Sequence, residues 1–289
     1  MKNFRWLALL LMVASSVSAE PLYWQASKGN LNYLIVGSVH VGDDSMYPLP
    51  VNVTTFLQHS DGIVLEADIR HTGNVRYPIA QKTTAQVLDQ QGEQELTGIA
   101  HLLGLDPQAL LLSPPWASAL TVQIKQMEYL GYKPQDGVDV QLMSMAASQN
   151  KPVYSLESLQ FQIDLLANLD NDGEELLTSA VEQFDHNEGA THCLIESWKR
   201  GDSVKLQEFA KLGDMSPKME NDFIYQRNHD WADKLSKATM FPERRGNYLV
   251  VVGTLHLVGR DNLPLLLKQR GFNVTQRSKS ETATCEFKY

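Results

Sequence analysis

Two stretches of this chain repeat one pattern, and that repeat restricts the fold more than any other feature of the sequence. The first runs from Asn32 to Asp43. It carries Tyr33-Leu34-Ile35-Val36, then Gly37-Ser38-Val39-His40, with Gly42 beyond. The second starts at Asn247. It carries Tyr248-Leu249-Val250-Val251-Val252, then Gly253-Thr254-Leu255-His256, with Gly259 beyond. An aliphatic, β-branched run with no polar alternation reads as a strand buried on both faces. The glycine that closes each run permits a turn or a close approach of backbone. Each histidine is therefore expected at or just past the carboxyl end of a buried strand, which is where open α/β sheets keep their ligands. One such histidine alone reads first as a satisfied core or loop residue. Two matched copies, if their strands share a sheet and a polarity, bring two imidazoles to one site, and neutral imidazole is the commonest metal ligand near pH 7.

Two further carboxylates sit at strand ends. Gly62 to Ala67 reads as a buried strand that closes on Glu66, and Pro152 to Leu156 reads as a short strand followed by Glu157. A carboxylate closing an apolar strand is costly unless it is paired, hydrogen-bonded or bound to a metal. The other reading of Glu66 is an exposed residue at a strand end. Near the amino end, Leu22 to Gln25 and Leu31 to Val36 read as a strand pair turning at Lys28-Gly29-Asn30. Phe272 to Thr275 reads as an edge strand.

From about residue 84 to 240 the period becomes helical. Leu96, Ile99, Ala100 and Leu103 follow an i, i+3, i+4, i+7 pattern that Gly104 stops. Leu120, Ile124, Met127 and Leu130 mark a second core stripe, and Val138, Leu142, Met145 and Ala146 a third. Asp170-Asn171-Asp172-Gly173 lacks the spaced ligands of a calcium loop and reads as a helix break. Ser216-Pro217 is a helix start, with Ser as N-cap and Pro at the first position, and the helix should run to about Lys237. One face of it reads Ile224, Arg227, Asn228, Trp231, Leu235. A guanidinium on that stripe is either buried against an anion or reaches out from its edge. The fold expected is α/β, a mixed central sheet carrying the two GxxH strands with a large helical insertion packed on it.

The ends and the charge set the setting. Lys2 and Arg5 precede the apolar run Trp6 to Val13, and Ser18-Ala19 precede Glu20, which reads as a secretory signal peptide at 1–19 cut after Ala19. The run is too short to span a bilayer. An uncleaved anchor is the other reading. Residues 20–289 then form one domain of a periplasmic or secreted protein. Loss of Lys2 and Arg5 leaves 23 basic against 34 acidic side chains, a net charge of −11, where the full chain has −9. That excess argues against nucleic acid and anionic membrane surfaces as partners. Cys193 and Cys285 read equally as one disulfide or as two unrelated thiols.

Four strand ends thus carry His40, Glu66, Glu157 and His256. Two imidazoles and a carboxylate can hold a divalent transition ion and leave a position open for water. The second carboxylate suits a ligand or a general base, and Arg227 suits neutralising it or stabilising an oxyanion. G-x-S-x-G, G-x-G-x-x-G and G-x-x-x-x-G-K-[ST] are all missing, so serine-hydrolase, dinucleotide and P-loop chemistry are not indicated.

The paired Gly37–His40 and Gly253–His256 motifs, with Leu65-Glu66, Gly137-Val138-Asp139, Leu156-Glu157 and Arg227-Asn228, resemble the TraB/GumN family, which includes the Tiki proteases. The resemblance runs from about Tyr23 to Asn273. It implies an α/β core with helical insertions, related to erythromycin-esterase and haem-binding ChaN-like folds. It also implies metal-dependent proteolysis with Mn²⁺ or Co²⁺. His40, Glu66 and His256 match the metal and catalytic positions, and Glu157 and Arg227 match supporting polar ones. The expectation is an exported metal-dependent hydrolase acting on a peptide or protein. The alternative is a non-enzymatic haem-, metal- or peptide-binding protein, and a weaker third is a small-molecule esterase.

Overall fold

The two repeated runs lie side by side in the middle of one sheet. The computed structural model describes residues 20–70, 73, 75–212 and 216–287. The leader expected at 1–19 lies outside the described residues. Six strands are found among them: β1 (Tyr23–Lys28), β2 (Leu31–Ser38), β3 (Gly62–Leu65), β4 (Val153–Ser155), β5 (Gly246–Gly253) and β6 (Asn273–Gln276), in the spatial order β4-β3-β5-β2-β1-β6. β5 pairs in parallel with β2 on one side and β3 on the other, and β4 continues the parallel set. β1 is antiparallel to both β2 and the edge strand β6. The sheet is mixed, as the sequence pattern indicates. Its four parallel strands all finish on the same edge.

Burial on both faces explains why β2, β3 and β5 read as unbroken apolar runs. Leu34, Val36, Ile63, Leu65, Leu249 and Val251 point into one cluster. Tyr33, Ile35, Val64, Tyr248, Val250 and Val252 point into the other. Burying each aliphatic side chain stabilises the fold by about 1.5–3 kcal/mol. The first face is covered by the helices Val51–His59, Val138–Ser148 and Phe184–Arg200, which contribute Val53, Leu57, Leu142, Ile195 and Trp198. The second is covered by Gln226–Lys237 and Leu263–Gln269, through Trp231, Leu235, Leu263 and Leu266. A third cluster belongs to the helical region alone. It joins Gln90–Leu102, Pro115–Tyr129 and Glu174–Glu182 through Leu96, Ala100, Ala119, Val122 and Leu177.

Two helices differ from the sequence reading. The buried face of Pro115–Tyr129 is Trp116, Ser118, Ala119, Val122 and Gln126, not the stripe Leu120, Ile124, Met127, Leu130. Ile124 is exposed, while Met127 and Leu130 are partly covered by the sheet-side cluster. The helix lies between two cores, and the small residues Ser118 and Ala119 take the tighter contact. A pattern that follows only Leu, Ile and Met therefore picks the lesser face. The helix from Ser216 also departs from regularity. Ser216 caps it by accepting from the Met219 N–H, and Pro217–Glu220 is α-helical. Asn221–Tyr225 is then a π-helical turn before Gln226–Lys237 resumes. One inserted residue rotates the downstream helix by about 100°. Arg227, Asn228, Trp231 and Leu235 are thereby buried on one face, while Ile224 is only partly covered.

Cys193 and Cys285 form a disulfide, with Cα atoms 5.4 Å apart, that ties the tail to Phe184–Arg200. Among the described residues no helix is long and apolar enough to cross a membrane.

Candidate active site

Four of the five expected side chains meet in one buried cluster, three of them delivered by the carboxyl ends of parallel strands and the fourth by a helix. Glu66 follows β3 directly, Glu157 lies two residues past β4, and His256 sits in the 3₁₀ turn Thr254–Leu257 after β5. Arg227 reaches them from Gln226–Lys237 and is 9% exposed. Its Nη2 donates to Glu66 Oε2 at 2.7 Å and to Glu157 Oε1 at 2.6 Å. Its Nε donates to Glu157 Oε2 at 3.2 Å, and its Nη1 to the Phe223 carbonyl at 3.0 Å. The guanidinium also lies 4.7 Å over the Trp231 ring. The Arg227 on the apolar stripe is thus the buried, paired kind. Glu157 is fully engaged, because it also accepts from Trp231 Nε1 at 3.0 Å and Gln162 Nε2 at 2.9 Å. Those four bonds make it the holder of Arg227 rather than a free base.

Glu66 is differently placed. Oε1 accepts the Gly253 N–H at 2.6 Å and stands 3.9 Å from His256 Nε2. The Asn228 amide fixes the His256 tautomer: its Nδ2 donates to the Asp261 carbonyl at 3.0 Å, so its Oδ1 faces His256 Nδ1 at 2.8 Å and accepts that N–H. Nε2 is left as the acceptor, turned toward Glu66, with Arg227 Nη1 at 3.4 Å.

His40 lies at the rim. β2 ends at Ser38, and the carbonyl of Gly37 in that strand is held by the Trp198 indole N–H at 2.8 Å. The loop beyond is fastened to the segment before Val138–Ser148. Val138 N–H donates to the Val39 carbonyl, and Gly42 and Lys133 exchange backbone bonds. Gly137 allows this approach, since a Cβ there would come within 2.6 Å of the His40 carbonyl oxygen. Asp139, in the first helical turn, accepts His40 Nδ1–H at 3.0 Å. The His40 side chain is 68% exposed. His40 makes no direct contact with the buried four, but its charge acts on both Glu66 and His256. Two buried oxygens lack a partner among the described residues, Asp139 Oδ1 and Thr254 Oγ1, and both lie in segments beside the histidines.

Sequence reasoning did not assign Asp139 and Asn228 their roles as histidine holders. Both are marked only as members of the motifs Gly137-Val138-Asp139 and Arg227-Asn228 that carry the family resemblance. Gln162 carries no signal, and Trp231 reads only as part of the apolar stripe.

The titration of the cluster follows from its burial. Burial lowers the His256 pKa to about 4; the Arg227 and His40 charges add to this against the opposing Glu66. Burial works to raise Glu66, but His256, Arg227, His40 and the Gly253 N–H outweigh it and bring it to about 2. For His40, desolvation lowers and the Asp139 bond and charge raise, with the raising side prevailing at about 9. The two depressed groups contribute stability above their unfolded values and lose it as pH falls through their folded ones. Melting temperature should therefore decline from pH 6.5 to 4 through His256 and on from 4.5 to 2 through Glu66. Differential scanning calorimetry of His256→Gln should show the upper part of that slope gone. An unchanged slope would remove His256 as its source.

The donor types, two imidazoles and a carboxylate, are ones that divalent transition ions take. Each histidine has Nδ1 tied to a side-chain oxygen, the arrangement that orients metal-binding imidazoles and presents Nε2. Glu66 Oε1 and His256 Nε2 are spaced as two ligands each about 2.0–2.2 Å from one ion at a wide angle. Among the described residues no three His, Cys, Asp or Glu side chains are gathered closely enough to hold an ion together. The cation between Glu66 and His256 is the Arg227 guanidinium.

The model of the TraB/PrgY/gumN family matches residues 22–276. The chain belongs to the TraB/PrgY/gumN family. Two TraB-family relatives are the "Uncharacterized protein YbaP" of Escherichia coli (strain K12) and its namesake in Shigella flexneri. Each is 30% identical over 244 residues, 83% of this chain and 89% of the relative. No solved structure matches. The TraB/PrgY/gumN match takes in every residue of the cluster, both histidines, Asp139 and Asn228.

Proposed function

We propose that this protein is an exported, metal-dependent hydrolase of the Tiki-like kind, acting on peptides or proteins. The observation that carries the reading is the pair of imidazoles, each anchored at Nδ1, with His256 Nε2 turned to an ionised, buried carboxylate at 3.9 Å. His40, His256 and Glu66 would hold the ion, with Mn²⁺ or Co²⁺ favoured by the resemblance. When bound, such an ion lowers the pKa of a coordinated water and polarises a carbonyl. The protein supplies the rest. Asn228 keeps the lone pair of His256 forward. Asp139 keeps His40 oriented at the open rim, through which a substrate carbonyl can approach. Arg227, fixed by Glu157, offers guanidinium hydrogen atoms where negative charge develops on a carbonyl oxygen. The expected leader at 1–19 and the Cys193–Cys285 disulfide support an oxidising compartment, periplasmic or secreted.

Protein purified without chelator and supplied with Mn²⁺ or Co²⁺ should cleave unstructured peptides, and Glu66→Gln should not. Metal-dependent cleavage that persists in Glu66→Gln would overturn the assignment. The other reading is a protein that binds haem, a metal or a peptide without turnover. Tight uptake with no cleavage would select it.

A further inference from the structure

A groove of about 280 Å³ runs beside the cluster, between the helix Ser203–Leu212, the π-helical turn Asn221–Tyr225 and the loop after β5. It adjoins the cluster along the chain on two sides. Leu255 in its wall immediately precedes His256, and Ile224 lies about one helical turn before Arg227. Those two residues and Val258 make one wall apolar.

The groove's lining carries two cations, Arg260 and Lys211, against one acid, Glu220, whereas the whole chain is acidic. Arg260 lines it, with its guanidinium 4.2 Å over the Tyr225 ring, and Asp261 Oδ2 is 3.9 Å from its Nε. Stacking holds the planar fork in one attitude while leaving its edge open, and the side chain is 69% exposed. Lys211 faces the same groove with no ion pair among the described residues. Glu220, the one acid of the lining, already accepts the Tyr225 hydroxyl. A chain of net charge −9 thus presents two cations over an apolar wall next to its candidate site. A stacked, planar guanidinium matches a carboxylate through two parallel hydrogen bonds.

Resting on the peptidase reading, we infer that this groove is the subsite for a carboxylate-bearing peptide: the carboxylate pairs with Arg260 and Lys211 while the neighbouring apolar side chain lies on Ile224, Leu255 and Val258. The π-helical turn then has two tasks, carrying Tyr225 to the groove and setting Arg227 into the cluster.

The test is binding, not cleavage. Fluorescein-labelled Ala-Leu-Leu-Ala with a free carboxyl end, and the same peptide amidated, are titrated with the full protein in EDTA and followed by anisotropy. The wild type should prefer the free acid by about tenfold, the size of one charge-assisted pair. The preference should vanish in Arg260→Gln/Lys211→Gln with amide binding unchanged. Equal binding of acid and amide by the wild type, binding of neither, or a preference that survives the double substitution each overturns the inference. Acid-selective binding with no cleavage after adding Mn²⁺ would sink the hydrolase reading and leave the groove standing.

Discussion

Arg227→Met is expected to destabilise the metal-free protein by about 3–5 kcal/mol, the cost of leaving buried charge without its partner. For a chain of this size that lowers the melting temperature by on the order of 10 °C. The reason is local and specific. Arg227 makes five hydrogen bonds to Glu66, Glu157, the Phe223 carbonyl and His256, if its 3.4 Å approach to His256 is counted. Glu66 and Glu157 are themselves 11% and 4% exposed at the side chain, so water cannot take over the neutralising role. Methionine fills the volume but carries no charge. If Mn²⁺ binds at Glu66 and His256, it should raise the melting temperature of Arg227→Met more than that of the wild type, because the ion replaces a missing cation in one and competes with a present one in the other. Thermal melts with and without Mn²⁺ measure both. A variant as stable as the wild type in EDTA would mean the guanidinium is not what holds these carboxylates ionised.

The second large effect concerns the ion itself. His40→Ala and His256→Ala should each abolish stoichiometric metal in protein purified without chelator, read by elemental analysis, and reduce peptide turnover by at least about 10³-fold. The two variants differ in what else they do. His40 is an exposed rim residue whose removal opens no cavity, so the melting temperature of the apo protein should fall only through loss of the Asp139 pair. His256 is 4% exposed, with Trp231 at 4.4 Å between ring centroids and Asn228 bonded to it, so its removal also opens a cavity and strands an amide oxygen. His40→Ala is thus the cleaner experiment. One ion per chain surviving in both variants would end the metal assignment.

Much of the fold was readable in the sequence, and the physical reasons are particular. β2, β3 and β5 show themselves because both of their faces are buried, which leaves no polar alternation to blur the run. Glu66, Glu157 and His256 stand out because a polar group closing such a run needs a partner. Arg227 stands out for being charged on a stripe otherwise apolar. The residues that hold the histidines are marked by motif but not by role. Asp139 reads as an ordinary acid in a first helical turn, favourable there for its own electrostatic reason, and only the fold brings it to His40. The π-helical turn at Asn221–Tyr225 has neither Pro nor Gly to mark it, yet it decides which face of the helix turns inward. On Pro115–Tyr129 the sequence favours the Leu, Ile and Met stripe, whereas the face that packs sets Trp116 and Val122 beside the small Ser118 and Ala119.

The placement of β5 has a consequence for how the molecule is made. It is the last of the four parallel strands in the chain, yet it occupies the seat between β2 and β3. Until Gly246–Gly253 has been synthesised, two apolar strands wait with open edges, the kind of surface that invites aggregation. Such distant pairing makes for slow folding. A chain halted before Gly246 lacks both the wedge that closes the sheet and the imidazole that faces Glu66.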